Sequence, residues 1–135
     1  MWPLSSSVRP TGNMEAIWKV FADCKSEEAA LKLASRSFVL VGQAPESLTS
    51  EPYAKGGYVI RAITRLPVQE WSQIVLLALS QAQAVGREWV IYGDIREELE
   101  AWSNHAAVSG VTSVHLQVLC GPNCSFKRTA QSLRD

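Results

Sequence analysis

Between Tyr58 and Gly86 the sequence changes its hydrophobic period, and this change constrains the fold more than any other feature of the chain. Residues 58–65 (YVIRAITR) alternate, with Arg61 and Arg65 on the face opposite Tyr58, Ile60 and Ala62, as a strand buried on one side does. Pro67 then suits the first turn of a helix, and Val68, Trp71, Val75, Ala78 and Ala82 recur at spacings of three and four until Gly86 supplies a stop. A one-sided strand and a one-sided helix each need a second layer to cover them. The chain is therefore predicted to mix helices and strands around one core.

The alternation recurs at 17–24 (IWKVFADC), with Lys19 and Asp23 on one face, and at 111–119 (VTSVHLQVL) after Gly110. Residues 88–94 (EWVIYGD) also read as a strand. Ser26 followed by Glu27 and Glu28 places a capping hydroxyl and two carboxylates at a helix start, and that helix is expected to end near Arg36. Residues 38–42 (FVLVG) read as a short apolar strand, and 43–57, with two prolines and the Gly56-Gly57 pair, as a long loop. Residues 96–108 (REELEAWSNHAAV) read as a third helix with Leu99, Trp102 and Ala106 on one stripe. The predicted order is β-α-β-β-α-β-α-β. Its first six elements form the ferredoxin-like split βαβ arrangement, an α+β sheet with helices on one face, and one αβ unit is appended.

A chain of 135 residues is the size of one domain. Residues 1–13, rich in serine and proline, are predicted to be a disordered leader, 14–120 the single α+β domain, and 121–135 a flexible tail. Thirteen basic and thirteen acidic residues leave no net charge. This balance argues against a polybasic membrane anchor and strong non-specific nucleic-acid binding. The longest apolar run, 74–79, is six residues, so no membrane partner is expected and the cytoplasm is the expected location. Three cysteines fit free thiols in a reducing compartment. Cys120 and Cys124, even with His115, fall short of the four ligands of a structural zinc site. No metal and no cofactor is predicted.

Two surfaces stand out. If helices cover one sheet face, Lys19, Asp23, Arg61, Arg65, His115 and Gln117 share the other. Lys19, Arg61, Arg65 and His115 then form a candidate site for a small anion, in an enzyme or a ligand-binding domain; the plain structural alternative is a solvated sheet face. An RNA-recognition domain has the same topology, but 55–59 (KGGYV) puts glycine where the first stacking aromatic belongs, so nucleic acid is not the expected partner. The second surface gathers Asp94, Glu97, Glu98 and Glu100 within seven residues, with Arg96 as the only cation among them. Glu46, Glu51 and Tyr53 in the 43–57 loop and Leu76, which falls on the polar side of its helix, complete the candidate partner-binding set. His105, near the end of the third predicted helix, is assigned a structural role, and the tryptophans of the periodic segments are assigned to the core. No nucleophile motif or phosphate loop is present, so no catalytic residue is assigned.

In its α+β order over about residues 14–119, its acidic segment and its long loop, with 91–102 (IYGDIREELEAW) and 110–118 (GVTSVHLQV) as the carrying stretches, the chain resembles bacterial immunity proteins. These neutralise toxins of contact-dependent growth inhibition or secreted-nuclease systems. The resemblance implies direct binding to one cognate toxin domain and no catalysis. It assigns no binding residue individually. A third alternative is self-association into a homodimer through an edge left by the last strand.

Overall fold

The structure, a computed structural model, describes residues 14–67 and 69–119. The predicted leader, the tail, Cys120 and Cys124 lie outside the described residues. Eight strands and two helices follow in the order β1 (Met14–Ala22), α1 (Glu27–Val41), β2 (Ser47–Pro52), β3 (Tyr58–Leu66), α2 (Trp71–Val85), β4 (Gly86–Arg87), β5 (Val90–Tyr92), β6 (Glu98–Ser103), β7 (His105–Ala106) and β8 (Val111–Leu119). Six strands form one sheet in the order β2-β3-β1-β8-β6-β5, every neighbouring pair antiparallel, and β4 and β7 pair separately.

One face of the sheet carries the core. Ala16, Trp18, Val20 and Ala22 of β1, Ile60, Ala62 and Leu66 of β3, and Val114, Leu116 and Val118 of β8 pack against Ala30, Ala34 and Phe38 of α1 and Trp71, Ile74, Ala78 and Ala82 of α2. The period of two in the strands and of three and four in the helices is what brings these sets together. Trp18 meets Phe38 edge to face with ring centroids 5.9 Å apart. The odd-numbered residues of β1, including Lys19 and Phe21, fall on the opposite face, which neither helix covers.

Several expectations are corrected. Residues 38–41 are not a strand but the last turn of α1, which runs past Arg36 to Val41 and stops where Gly42 takes up left-handed backbone (φ 87°). Only Phe38 and Val41 of that apolar run face the core, while Val39 and Leu40 are exposed. The second strand comes instead from within the predicted 43–57 loop, where Leu48 and Ser50 alternate with exposed neighbours.

The predicted third helix is not formed either. Residues 98–103 are strand β6, with Leu99, Ala101 and Ser103 buried and Trp102 on the open face. Nor do the first six predicted elements close a unit to which 96–119 is appended: β8 pairs with β1 inside the sheet, the predicted strand 88–94 forms β5 at the far edge, and the β5–β6 hairpin is the peripheral piece, with His105 on β7. The last strand is no edge, since β8 is paired on both sides by β1 and β6, and the edges of the sheet are β2 and β5. The core assignment of the tryptophans holds for Trp18 and Trp71 but not for Trp102.

Candidate functional site

Cross-strand pairing decides which side chains meet on the open face. Lys19 is directly opposite Arg61 on one side and His115 on the other, and His115 is opposite Trp102. One row across four strands therefore reads Arg61, Lys19, His115, Trp102. Two cations directly opposed on antiparallel strands repel each other. Among the described residues neither Lys19 nor Arg61 has an ion-pair partner.

The other two members of the predicted anion site are engaged. Arg65 grips Glu46 through two hydrogen bonds, of 2.6 and 2.9 Å. This bond to the arginine holds the Glu46 carboxyl below its usual pKa and raises that of the guanidinium. His115 Nε2 lies 3.0 Å from Glu100 Oε2, while its Nδ1 is buried without a hydrogen-bond partner among the described residues.

Beside the cationic row runs a chain of rings that crosses the sheet. Tyr53 packs on Phe21 (5.1 Å between centroids), Phe21 on Trp102 (5.3 Å) and Trp102 on His115 (5.6 Å). The hairpin turn between β2 and β3 sets Tyr53 there. Tyr53 N–H donates to the Gly57 carbonyl and Gly56 N–H to the Tyr53 carbonyl, both at 2.9 Å. Gly57 has φ 77°, and a β-carbon there would stand 2.1 Å from the Ala22 carbonyl oxygen, so only glycine lets the turn lie on the end of β1. On the other side, Trp102 Nε1 donates to Asn104 Oδ1 at 2.7 Å, and Ser113 Oγ donates to the same oxygen at 2.8 Å. Between turn and indole is a depression of about 320 Å³ lined by Phe21, Tyr53, Lys55 and Trp102 together with Asp23, Thr112 and Ser113. Its size is at the lower end of small-ligand sites.

The acidic segment has a different setting from the one predicted. The turn that joins β5 to β6 holds Asp94 and Glu97, and Asp94 O accepts from both Glu97 N–H and Glu98 N–H. Asp94 pairs with Arg96 at 3.0 Å, which raises the arginine's pKa through their hydrogen bond. With Glu100 turned to His115, Glu97 and Glu98 are the carboxylates of the group without an ion-pair partner among the described residues. Glu97 is exposed and Glu98 half-buried.

Along this acidic turn runs the edge strand. Val90, Ile91 and Tyr92 are 52%, 42% and 48% exposed, and Ile95 in the turn is exposed too. Trp71 of α2 anchors the turn from beneath by donating its indole N–H to the Ile95 carbonyl at 2.8 Å.

The predicted partner set is therefore divided. Asp94, Glu97, Glu98 and Glu100 gather at the β5 edge, Glu46, Glu51 and Tyr53 lie toward the β2 edge, and Leu76 projects from α2. Five strand spacings separate the edges, about 24 Å. Sequence reasoning assigned no role to Phe21 and sent Trp102 to the core. The parity of β1 was the available signal for Phe21, since it falls on the same face as Lys19 and Asp23. Among the described residues no group of three histidine, cysteine or acidic side chains is placed to hold a metal ion, and no helix is long and apolar enough to cross a membrane. Compared with models of known families, with curated proteins and with solved structures, the chain matches none.

Proposed function

We propose that the protein is a binding domain of the immunity type, which neutralises a basic bacterial toxin domain in the cytoplasm by direct contact through the β5–β6 hairpin. The observation that carries this reading is the edge strand itself: three consecutive apolar residues, all substantially exposed, on the strand that ends the sheet. An apolar edge with one unpaired side invites another chain, and monomeric proteins usually blunt such edges with charge, proline or a bulge. The opposite edge, β2, is blunted in that way by Glu51 and Pro52. Glu97 and Glu98 next to the apolar strand supply the charged rim that speeds encounter with a basic partner.

A ferredoxin-like core for the chain is part of the same proposal. It is supported by β3 lying between β1 and β2, by β1 lying between β3 and β8, and by the helices that follow β1 and β3. On this reading the β5–β6 hairpin is the addition that carries the interface.

The test is co-purification from the native host, identification of the partner and reconstitution of the pair. Glu97→Lys with Glu98→Lys is expected to slow association at low salt, with a defect that shrinks as salt rises, because exposed charges are screened over about 8 Å at physiological ionic strength. Ile91→Lys is expected to speed dissociation. The protein is expected to protect cells that express the partner. Unchanged kinetics in both variants at low salt, a missing protective effect, or a β5 edge occupied by a second copy of this chain would overturn the proposal.

A further inference from the structure

The helix-free face of the sheet has features that the proposed toxin contact does not use. Aromatic rings on a solvent-facing sheet surface are an unspent binding resource, because a π-face offers a flat apolar contact to any planar ligand. Here four rings contact one another in series from Tyr53 through Phe21 and Trp102 to His115, the first pair edge to face and the others tilted. Two of them are fixed by their surroundings: Tyr53 by the turn that Gly57 presses onto β1, and Trp102 by its hydrogen bond to Asn104. Little ordering remains to be done when a ligand arrives.

Immediately beside the rings stand Lys19 and Arg61, opposed across β1 and β3 with no acidic partner among the described residues. Holding two like charges opposite each other costs stability, and an anion between them removes that cost. Lys19 and Phe21 are two residues apart on one face of one strand, so the two side chains leave the backbone about 7 Å apart along the strand. A cation and a ring set on neighbouring positions of one face can reach the phosphate and the base of one nucleotide. Lys55 and Asp23 lie on the rim of the ring-lined depression. The carboxylate of Asp23 can accept from sugar hydroxyls or an exocyclic amine, and the hydroxyls of Thr112 and Ser113 line the same wall.

We propose that this face binds a free nucleoside phosphate, with the base in the depression against Phe21 and Trp102 and the phosphate between Lys19 and Arg61. The cations of the site are three, Lys19, Arg61 and Lys55, none with an ion-pair partner among the described residues; with the small depression and the absence of net charge, this fits a single nucleotide better than a strand of nucleic acid with many phosphates. The site lies on the open face and the proposed toxin contact at the β5 edge, and the two share the β5–β6 hairpin through Trp102, which is paired with Val90.

The experiment is calorimetric titration of the full chain with AMP and GMP, and in parallel with adenosine, inorganic phosphate and a single-stranded oligonucleotide. Saturable binding of at least one nucleotide is expected, with adenosine and phosphate each weaker by about tenfold or more, because each lacks one of the two anchors. Lys19→Gln with Arg61→Gln is expected to weaken binding about tenfold and to make it less sensitive to salt. Trp102→Leu should weaken it about tenfold, while Trp102→Phe, which keeps a ring, restores most of it. Circular dichroism establishes that each variant is folded, and the Phe variant separates ring loss from misfolding at that position. Absence of saturable nucleotide binding, indifference to both the cation pair and Trp102, or oligonucleotide affinity well above that of the nucleotide would each overturn the proposal.

Discussion

The indole Nε1 of Trp18 donates a 3.0 Å hydrogen bond to Thr64 Oγ1, joining β1 to β3 at a point where neither side chain meets solvent. Thr64 is the one fully buried polar residue of β3, and this bond is what makes it tolerable there. Thr64→Val keeps the shape and leaves the indole N–H without a partner. It is expected to lower unfolding free energy by about 1 to 3 kcal/mol, and Thr64→Ser by less, in chemical denaturation. Equal stability of the valine variant and the native protein would show that the bond contributes nothing.

Trp71 is buried and also ties the β5–β6 turn to α2 through the Ile95 carbonyl. Trp71→Ala should cost about 3 to 5 kcal/mol. Trp71→Phe, which keeps the ring and loses the donor, should cost less and should raise hydrogen exchange selectively in the 90–98 hairpin. Exchange that rises uniformly across the protein in the Phe variant would mean that the bond does not hold the turn.

Gly56 and Gly57 both have positive φ, but only at Gly57 would a β-carbon strike backbone. Gly57→Ala should therefore destabilise by about 2 kcal/mol or more and displace Tyr53 from Phe21, whereas Gly56→Ala should cost about 1 kcal/mol through backbone strain alone. Thermal unfolding of the two variants side by side checks the order, which is opposite if the turn does not lie on β1.

The Glu46 carboxyl is held below its usual pKa by its hydrogen bonds to Arg65. A lowered folded-state pKa means that the pair stabilises the protein above the usual glutamate range, and that the contribution is lost as pH falls through the depressed value. Because both side chains are nearly half exposed, the effect should be small. NMR titration of Glu46 should give a midpoint below that of an ordinary glutamate, and Arg65→Gln should return it to the usual value. A Glu46 midpoint that Arg65→Gln leaves in place would assign the shift to another group.

Residues 58–65 formed the strand that their period dictates, and the helix expected from Pro67 formed over 71–85, beginning after Glu70 rather than at Pro67; each has one apolar face and a single way to bury it. The residues of β1 and β8 were legible for the same reason, and their parity placed Lys19, Arg61, His115 and Gln117 on the open face. Where the sequence supports two periods it could not choose. Leu99, Trp102 and Ala106 suit a helix, and Leu99, Ala101 and Ser103 suit a strand equally well. Pairing with β8 decided for the strand, and with it that Trp102 meets Phe21 and that the acidic turn closes a hairpin. Residues 38–41 are apolar throughout and carry no period. Their conformation was settled by the left-handed stop at Gly42 and by the core's use of only Phe38 and Val41. The engagement of Arg65 by Glu46, which leaves Lys19 and Arg61 as the unpartnered pair, depends on a contact between residues 19 positions apart. A sequence determines which faces are apolar, since that is a local property of spacing. Which strand covers which edge, and which charge finds a partner, is decided by contacts between distant residues that form only when the sheet closes.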